Sequence, residues 1–277
     1  MGRWSLSACR GNIATAMRVF DFNSAIVRAP GRSVIHGLCA TPGPLPQFEA
    51  LLAEHQGYVA ALRAAGLDVT VLEALEQFPD SVFVEDPALV FGDAAILLRP
   101  GAPSRRDEAQ ELAATLTTRF PRVLRLDAGF ADGGDVLVTA QRVFIGLSAR
   151  TDQAGAAALS GLLASIGLAS QVIRVPRGTL HLKSDCSLVD EETVLATQAL
   201  SASGLLDGLR TLVVPQEERR AANALRVNDV VLVDARYPRT AGLLAQHGLE
   251  VVPLPVAEIA KIDAGLSCMS LRWFAPR

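Results

Sequence analysis

Four cysteines and four histidines are the side chains of this 277-residue sequence best suited to nucleophilic or acid–base chemistry. Their neighbours distinguish among them. Cys268 stands in Ser267-Cys-Met-Ser270, His181 in Leu180-His-Leu-Lys-Ser-Asp185, and Asp132 opens Asp132-Gly-Gly-Asp135. Asp80 precedes a pair of acids, Glu85-Asp86, framed by Val82-Phe-Val and Pro87-Ala-Leu-Val. A thiol, an imidazole and carboxylates meeting in one pocket would supply a nucleophile, an acid/base and an orienting acid. Acids held between apolar runs are expected to be partly buried, and a buried pair of acids needs a cation. Cys186 lies in an apolar strand pattern and reads as a core thiol, while Cys9 and Cys39 lie in amino-terminal segments. His36, His55 and His247 stand in no comparable setting. With the cysteines far apart and no C-x-x-C spacing, neither a zinc site nor a disulfide framework is expected.

The elements that would hold these residues repeat. Phe48, Leu51, Leu52, Val59 and Leu62 recur at helical spacing and predict a helix over 46–65, ended by Gly66-Leu67. A glycine at C′ followed by an apolar residue is a Schellman-type stop. Asp68-Val-Thr-Val-Leu then alternates like a strand. The same Gly-Leu punctuation returns at 167–168, 208–209 and 248–249. A further helix is expected to open at Ser104, with Asp107 completing a capping box, and to break near Phe120-Pro121. The helix ended by Gly167 is expected to open at Thr151. Paired apolar runs, such as 88–91 with 94–98 and 135–138 with 143–146, precede several helices. Five units of two short strands, a helix and a strand result.

A period near 40 residues with one helix per unit argues against an all-β propeller. It predicts a ring of αβ modules with strands toward the axis, closed by pairing the two ends of the chain. A doubly wound sheet would call for a phosphate loop, and Gly133-Gly134 runs into a strand rather than a helix. In a ring, the polar residues before the first strand of successive units converge on one end of the axis.

Half the residues are hydrophobic, 20% are charged, and the net charge is −3. This balance excludes disordered, collagen-like and disulfide-scaffold classes. No uncharged apolar run approaches the ~18 residues of a membrane helix. Of the 26 basic residues 24 are arginine, without a basic stripe, so neither nucleic acid nor a membrane is an expected partner. Residues 1–16 are expected to be a disordered or over-extended leader, and 17–277 a single catalytic domain. A cytoplasmic setting is the default for free thiols.

Six motifs taken together resemble the dimethylarginine dimethylaminohydrolase family of the guanidine-modifying, or pentein, superfamily. They are Pro79-Asp-Ser-Val-Phe-Val-Glu-Asp86, Arg99-Pro-Gly-Ala-Pro-Ser-Arg-Arg106, Asp132-Gly-Gly-Asp-Val-Leu137, Gly146-Leu-Ser-Ala-Arg-Thr151, Leu180-His-Leu-Lys-Ser-Asp-Cys-Ser187 and Ser267-Cys-Met-Ser270. The resemblance covers about residues 20–272 and implies a five-bladed αβ propeller of ββαβ modules. It implies Cys268 as nucleophile, His181 as general acid/base and Asp132 as the acid orienting it. Asp86, with Glu85 beside it, would hold a guanidinium, and Arg105 and Arg150 would grip an α-carboxylate. Asp80 and the carbonyls of Ile262 and Leu38 would receive an α-ammonium, with the Gly/Pro-rich stretch 31–46 as a lid. The implied reaction converts asymmetric dimethylarginine or monomethylarginine to citrulline and an amine. It uses no cofactor and no metal, in a monomer or homodimer. The alternatives are arginine deiminase, amidinotransferase and a silent ring that binds arginine-like ligands.

Overall fold

The computed structural model describes residues 18–40 and 43–275; the expected leader lies outside them. Each module opens, in chain order, where the previous one ends. The first contains β1 (Ser24–Arg28), α1 (Phe48–Ala64) and β2 (Asp68–Leu72). The second contains β3 (Ala88–Val90), β4 (Ala94–Leu97), α2 (Glu108–Arg119) and β5 (Arg122–Arg125). In the third these become β6 (Val136–Val138), β7 (Val143–Leu147), α3 (Gln153–Ser165) and β8 (Ser170–Arg174). The fourth has β9 (Cys186–Leu188), β10 (Thr193–Ala196), α4 (Gln198–Ala202) and β11 (Arg210–Val213). The fifth has β12 (Leu225–Val227), β13 (Val230–Asp234), α5 (Pro238–Gln246) and β14 (Glu250–Leu254). The chain returns as β15 (Leu271–Trp273) to complete the first module, pairing antiparallel with β1 from Ser24↔Trp273 to Ile26↔Leu271.

Every sheet has three strands in the same arrangement: an inner strand antiparallel to the middle one, which is parallel to the strand after the helix. The parallel step requires a crossover, and the helix supplies it. The inner strands β3, β6, β9, β12 and β15 all line one axial cavity. The repeat in the sequence is therefore the repeat in the fold, a five-bladed αβ propeller.

Helices α1, α2 and α3 bury one face each. In α1 the buried side chains are Leu51, His55, Tyr58, Val59 and Leu62, each apolar one contributing about 1.5–3 kcal/mol, whereas Phe48 and Leu52 are half-buried. Positive φ, from 83° to 95°, is taken at Gly66, Gly167 and Gly248, which end α1, α3 and α5, and at Gly208, which lies six residues beyond the end of α4. The Schellman bonds Leu67 N–H to Leu62 O, Leu168 to Leu163 and Leu249 to Leu244 accompany three of them.

Besides α1, which starts at Phe48 rather than at 46, two helix starts differ from expectation. α2 begins at Glu108, not Ser104, because Pro103–Arg105 forms a short 3-10 turn that sends Arg105 inward, and Asp107 caps nothing with its side chain. α3 is capped by Asp152, which accepts from Gly155 N–H at 2.6 Å. Thr151 is diverted, its hydroxyl donating to Asp135 Oδ2 at 2.7 Å. No helix among the described residues is long and apolar enough to cross a membrane.

Candidate active site

The turn before each inner strand is where a side chain can leave the sheet and face the axis. Asp86 precedes β3, Asp132 precedes β6, His181 precedes β9, Asn223 precedes β12 and Cys268 precedes β15. Short 3-10 turns at Gly133–Asp135, Leu182–Ser184 and Ser267–Met269 bring three of them in.

His181 and Asp132 form a hydrogen-bonded pair, Nε2 to Oδ2 at 2.9 Å, with Asp132 wholly buried. The other Asp132 oxygen accepts Gly101 N–H at 2.7 Å, so the carboxylate cannot rotate away from the ring. Gly133 and Gly134 belong to this packing rather than to any phosphate loop. A Cβ on Gly133 would meet the Glu85 carbonyl oxygen at 1.9 Å, and one on Gly134 would meet His181 Nδ1 at 2.7 Å. Only glycine lets these backbones approach so closely. Burial opposes a charged imidazole, but Asp86, the Asp132 bond and Asp135 outweigh it and raise His181 to about 9. Asp135 anchors the same corner, accepting Ser148 and Thr151 hydroxyls and Leu182 N–H.

The two adjacent acids go separate ways. Asp86 accepts Gly134 N–H at 3.1 Å and pairs with Arg105, while Glu85 is held by Lys183 Nζ at 2.6 Å, Arg272 Nη2 at 3.2 Å and the Ser267 hydroxyl at 3.0 Å. The expected cations are therefore Arg105 for one acid and Lys183 with Arg272 for the other. Glu85 thus holds the turn that carries Cys268, through the Ser267 hydroxyl. Burial works to raise Asp86, yet Arg105 and His181 bring its carboxyl below the ordinary range. Ligand atoms of Asp86, Asp132 and His181 all lie within 4.8 Å of one another, a spacing that could hold a metal ion. Two of the three are already engaged with each other and the third with Arg105.

Arg105 is buried and tied within the protein. Besides Asp86 it donates Nε and Nη2 to Glu108, the latter at 2.7 Å, and Nη2 to the carbonyls of Asp80 and Phe83. Burial, against the pull of Arg105, pushes Glu108 up to about 7. Arg150 is only half-buried, within electrostatic reach of Asp80. The two arginines, given one role by the resemblance, thus differ in setting.

Asp80 is buried and accepts Leu38 N–H at 2.9 Å. A Cβ on Gly37 would lie 3.2 Å from Asp80 Oδ1 and 3.4 Å from Ile262 Cδ1, so Leu38, Asp80 and Ile262 meet around the 31–40 segment. Ala40 N–H reaches Asp263 Oδ2 at 2.5 Å, joining this segment to the residue after Ile262.

Cys268 Sγ is pushed up to about 12 by burial and by Glu85 and Asp86, against Lys183 and a backbone bond from Gly265. Such a thiol becomes a nucleophile only when a cation joins it. Cys186 is fully buried, its Sγ donating to Leu182 O at 3.4 Å. Sequence reasoning passed over Lys183, Glu108, Arg272 and Asn223. The position before the inner strand of the fifth module was the available signal for Asn223.

The profile of the family described as N,N dimethylarginine dimethylhydrolase, eukaryotic, matches residues 47–196. The chain is 37% identical over 254 residues to the N(G),N(G)-dimethylarginine dimethylaminohydrolase of Pseudomonas aeruginosa, covering 91% of this chain and 100% of the relative. It is 35% identical to the Streptomyces coelicolor enzyme of the same description, covering 90% and 96%. A solved structure of the Pseudomonas aeruginosa protein, a cysteine-to-serine variant complexed with citrulline, superposes with a TM-score of 0.88 at 36% identity, over 91% of this chain and 100% of that one. The amino-terminal domain of the cyanobacterial arginine dihydrolase ArgZ, at 17% identity and a TM-score of 0.80, covers 91% of this chain and 98% of that one; it shares the fold.

Proposed function

The chain belongs to the dimethylarginine dimethylaminohydrolase family, and we propose that it hydrolyses Nω-methylated arginine to citrulline and dimethylamine or methylamine. The observation that carries this reading is the meeting of the His181–Asp132 pair with Asp86 beside a thiol whose charged form needs a bound cation.

A guanidinium carbon is a poor electrophile because its charge is delocalised, so it has to be held and attacked by a soft nucleophile. Asp86 holds the guanidinium. The added positive charge lowers the Cys268 thiol, whose proton leaves to solvent, and the thiolate bonds to the guanidinium carbon. His181, already cationic at neutral pH, gives a proton to the departing amine as the C–N bond breaks. The resulting S-alkylthiouronium is then attacked by water, with neutral His181 taking the water's proton. Collapse breaks the C–S bond and releases citrulline, regenerating the thiolate. Asp132 keeps the ring in place and favours its cationic form.

At the amino-acid end Arg150 and Arg105 receive the α-carboxylate, and Asp80 with the carbonyls of Leu38 and Ile262 receives the α-ammonium. Arg105 begins tied to Asp86. An incoming substrate therefore exchanges partners, its guanidinium replacing Arg105 on Asp86 while its carboxylate takes a released Arg105 N–H.

Incubation of the pure protein with asymmetric dimethylarginine and with arginine, measuring citrulline from each, tests the reading. Citrulline and dimethylamine in equal amounts from the methylated substrate are expected. Citrulline and ammonia from arginine alone would instead make the protein an arginine deiminase.

A further inference from the structure

Four of the five turns that enter the inner strands carry a residue with a part in the proposed chemistry. The fifth carries Asn223, between the fully buried Ala222 and Ala224. Its amide is used at both ends. Oδ1 accepts the backbone N–H of Ser267 at 3.1 Å, and Nδ2 reaches the sulfur of Cys268 at 4.0 Å. Gly265, three residues before Cys268, is pressed against the same group, since a Cβ on it would stand 2.4 Å from Asn223 Cγ. An amide that accepts from the turn on one side can only present its N–H to the other, so the Ser267 bond aims the donor at the sulfur.

We propose that Asn223 is a further catalytic residue, clamping the Ser267–Cys268 turn and donating a hydrogen bond to the Cys268 thiolate as it forms. This rests on Cys268 being the nucleophile. The charged groups around Sγ are Glu85 and Asp86 from the second module and Lys183 from the fourth, and the two carboxylates oppose a thiolate. A neutral donor helps the anion without competing with the substrate cation for Asp86, as another lysine or arginine would. A hydrogen bond that is long around the thiol shortens once the sulfur is charged.

The test uses Asn223→Leu, close in size but with no donor, acceptor or charge, and the smaller Asn223→Ala. Alkylation of Cys268 by iodoacetamide is followed against pH by mass analysis of the peptide that carries it, which keeps the exposed Cys39 out of the reading. Loss of the donor is expected to raise the alkylation midpoint by about one pH unit. Turnover of dimethylarginine at neutral pH should fall about tenfold or more, with KM within about threefold. An Asn223 that serves only to shape the turn would lower turnover and leave the midpoint of both variants where wild type has it, and that result overturns the proposal. Citrulline release by Cys268→Ser would mark a different failure, that of the nucleophile assignment. The alkylation midpoint would still report on the Asn223–sulfur bond.

Discussion

At one end of the axis the turns into the inner strands carry Asp86, Asp132, His181, Asn223 and Cys268. Beyond Glu85 and Lys183, the strands themselves enclose a largely apolar cavity of about 460 Å³, walled by Leu89, Val136, Leu188, Leu225 and Trp273. Each region has a thiol. Cys268 faces carboxylates and an amide donor, and Cys186 lies in the apolar wall with only a backbone carbonyl to bond. Burial pushes both thiols up, but of the two only Cys268 lies beside Glu85 and Asp86, where the proposed binding of a substrate cation would reverse this. The strands supply a ring, and the proposed chemistry falls to the short turns that lead into it.

The largest effect that could break this comparison is at Cys268. Cys268→Ser should lower citrulline release at least about a thousandfold while leaving the melting temperature within a few degrees, because one sulfur becomes a smaller oxygen. Full turnover in this variant would move the chemistry elsewhere.

His181→Gly comes next, with a loss of about 10²–10⁴-fold on dimethylarginine. An S-alkyl-thiocitrulline, whose thiol departs without an added proton, should keep most of its first-turnover rate. Equal losses on both substrates in the first turnover would reject His181 as the acid.

The two arginines sharpen the contrast within the site. Arg150→Ala should lower kcat/KM about tenfold to a hundredfold, in line with about 1.5–3 kcal/mol for a charge-assisted bond, with little change in stability. Arg105→Ala leaves Asp86 and Glu108 buried without their cation and should also destabilise the protein by about 3–5 kcal/mol in a denaturant titration. Indistinguishable stabilities would mean that Arg105 is not the structural cation its contacts imply.

The smallest effect belongs to the apolar region. Cys186→Ser should cost about 0.5–3 kcal/mol of stability and change turnover less than about threefold. A well-folded but inactive Cys186→Ser would put the nucleophile at the wrong thiol.

Much of this was legible because the signals were local. Glycines at 66, 167 and 248 mark helix ends by backbone geometry, and with the break at Phe120-Pro121 and the Gly208-Leu209 turn before β11 they give the five modules. The convergence of Asp86, Asp132, His181 and Cys268 on one axial end follows in turn, since each stands before an inner strand. What escaped depended on direction rather than order. Nothing in Glu85-Asp86 says that the two carboxylates part, one toward Arg105 and the other toward Lys183 and Arg272. The capping box read at Ser104 failed because the buried pull of Asp86 and Glu108 on Arg105 bends the chain there. Asn223, a lone asparagine after two alanines, has no motif of its own; only its place before an inner strand pointed to it, and its meaning comes from Ser267 and Cys268, 44 and 45 residues away.

The central claim is that the Cys268 sulfur bonds to the guanidinium carbon and displaces the amine. Acid quenching of wild type during turnover of asymmetric dimethylarginine, followed by peptide mass analysis, observes that bond directly. The predicted result is a peptide containing Cys268 that is heavier by the substrate less dimethylamine, formed no more slowly than citrulline appears. Citrulline release with the Cys268 peptide unmodified throughout, and undiminished in Cys268→Ser, would contradict it.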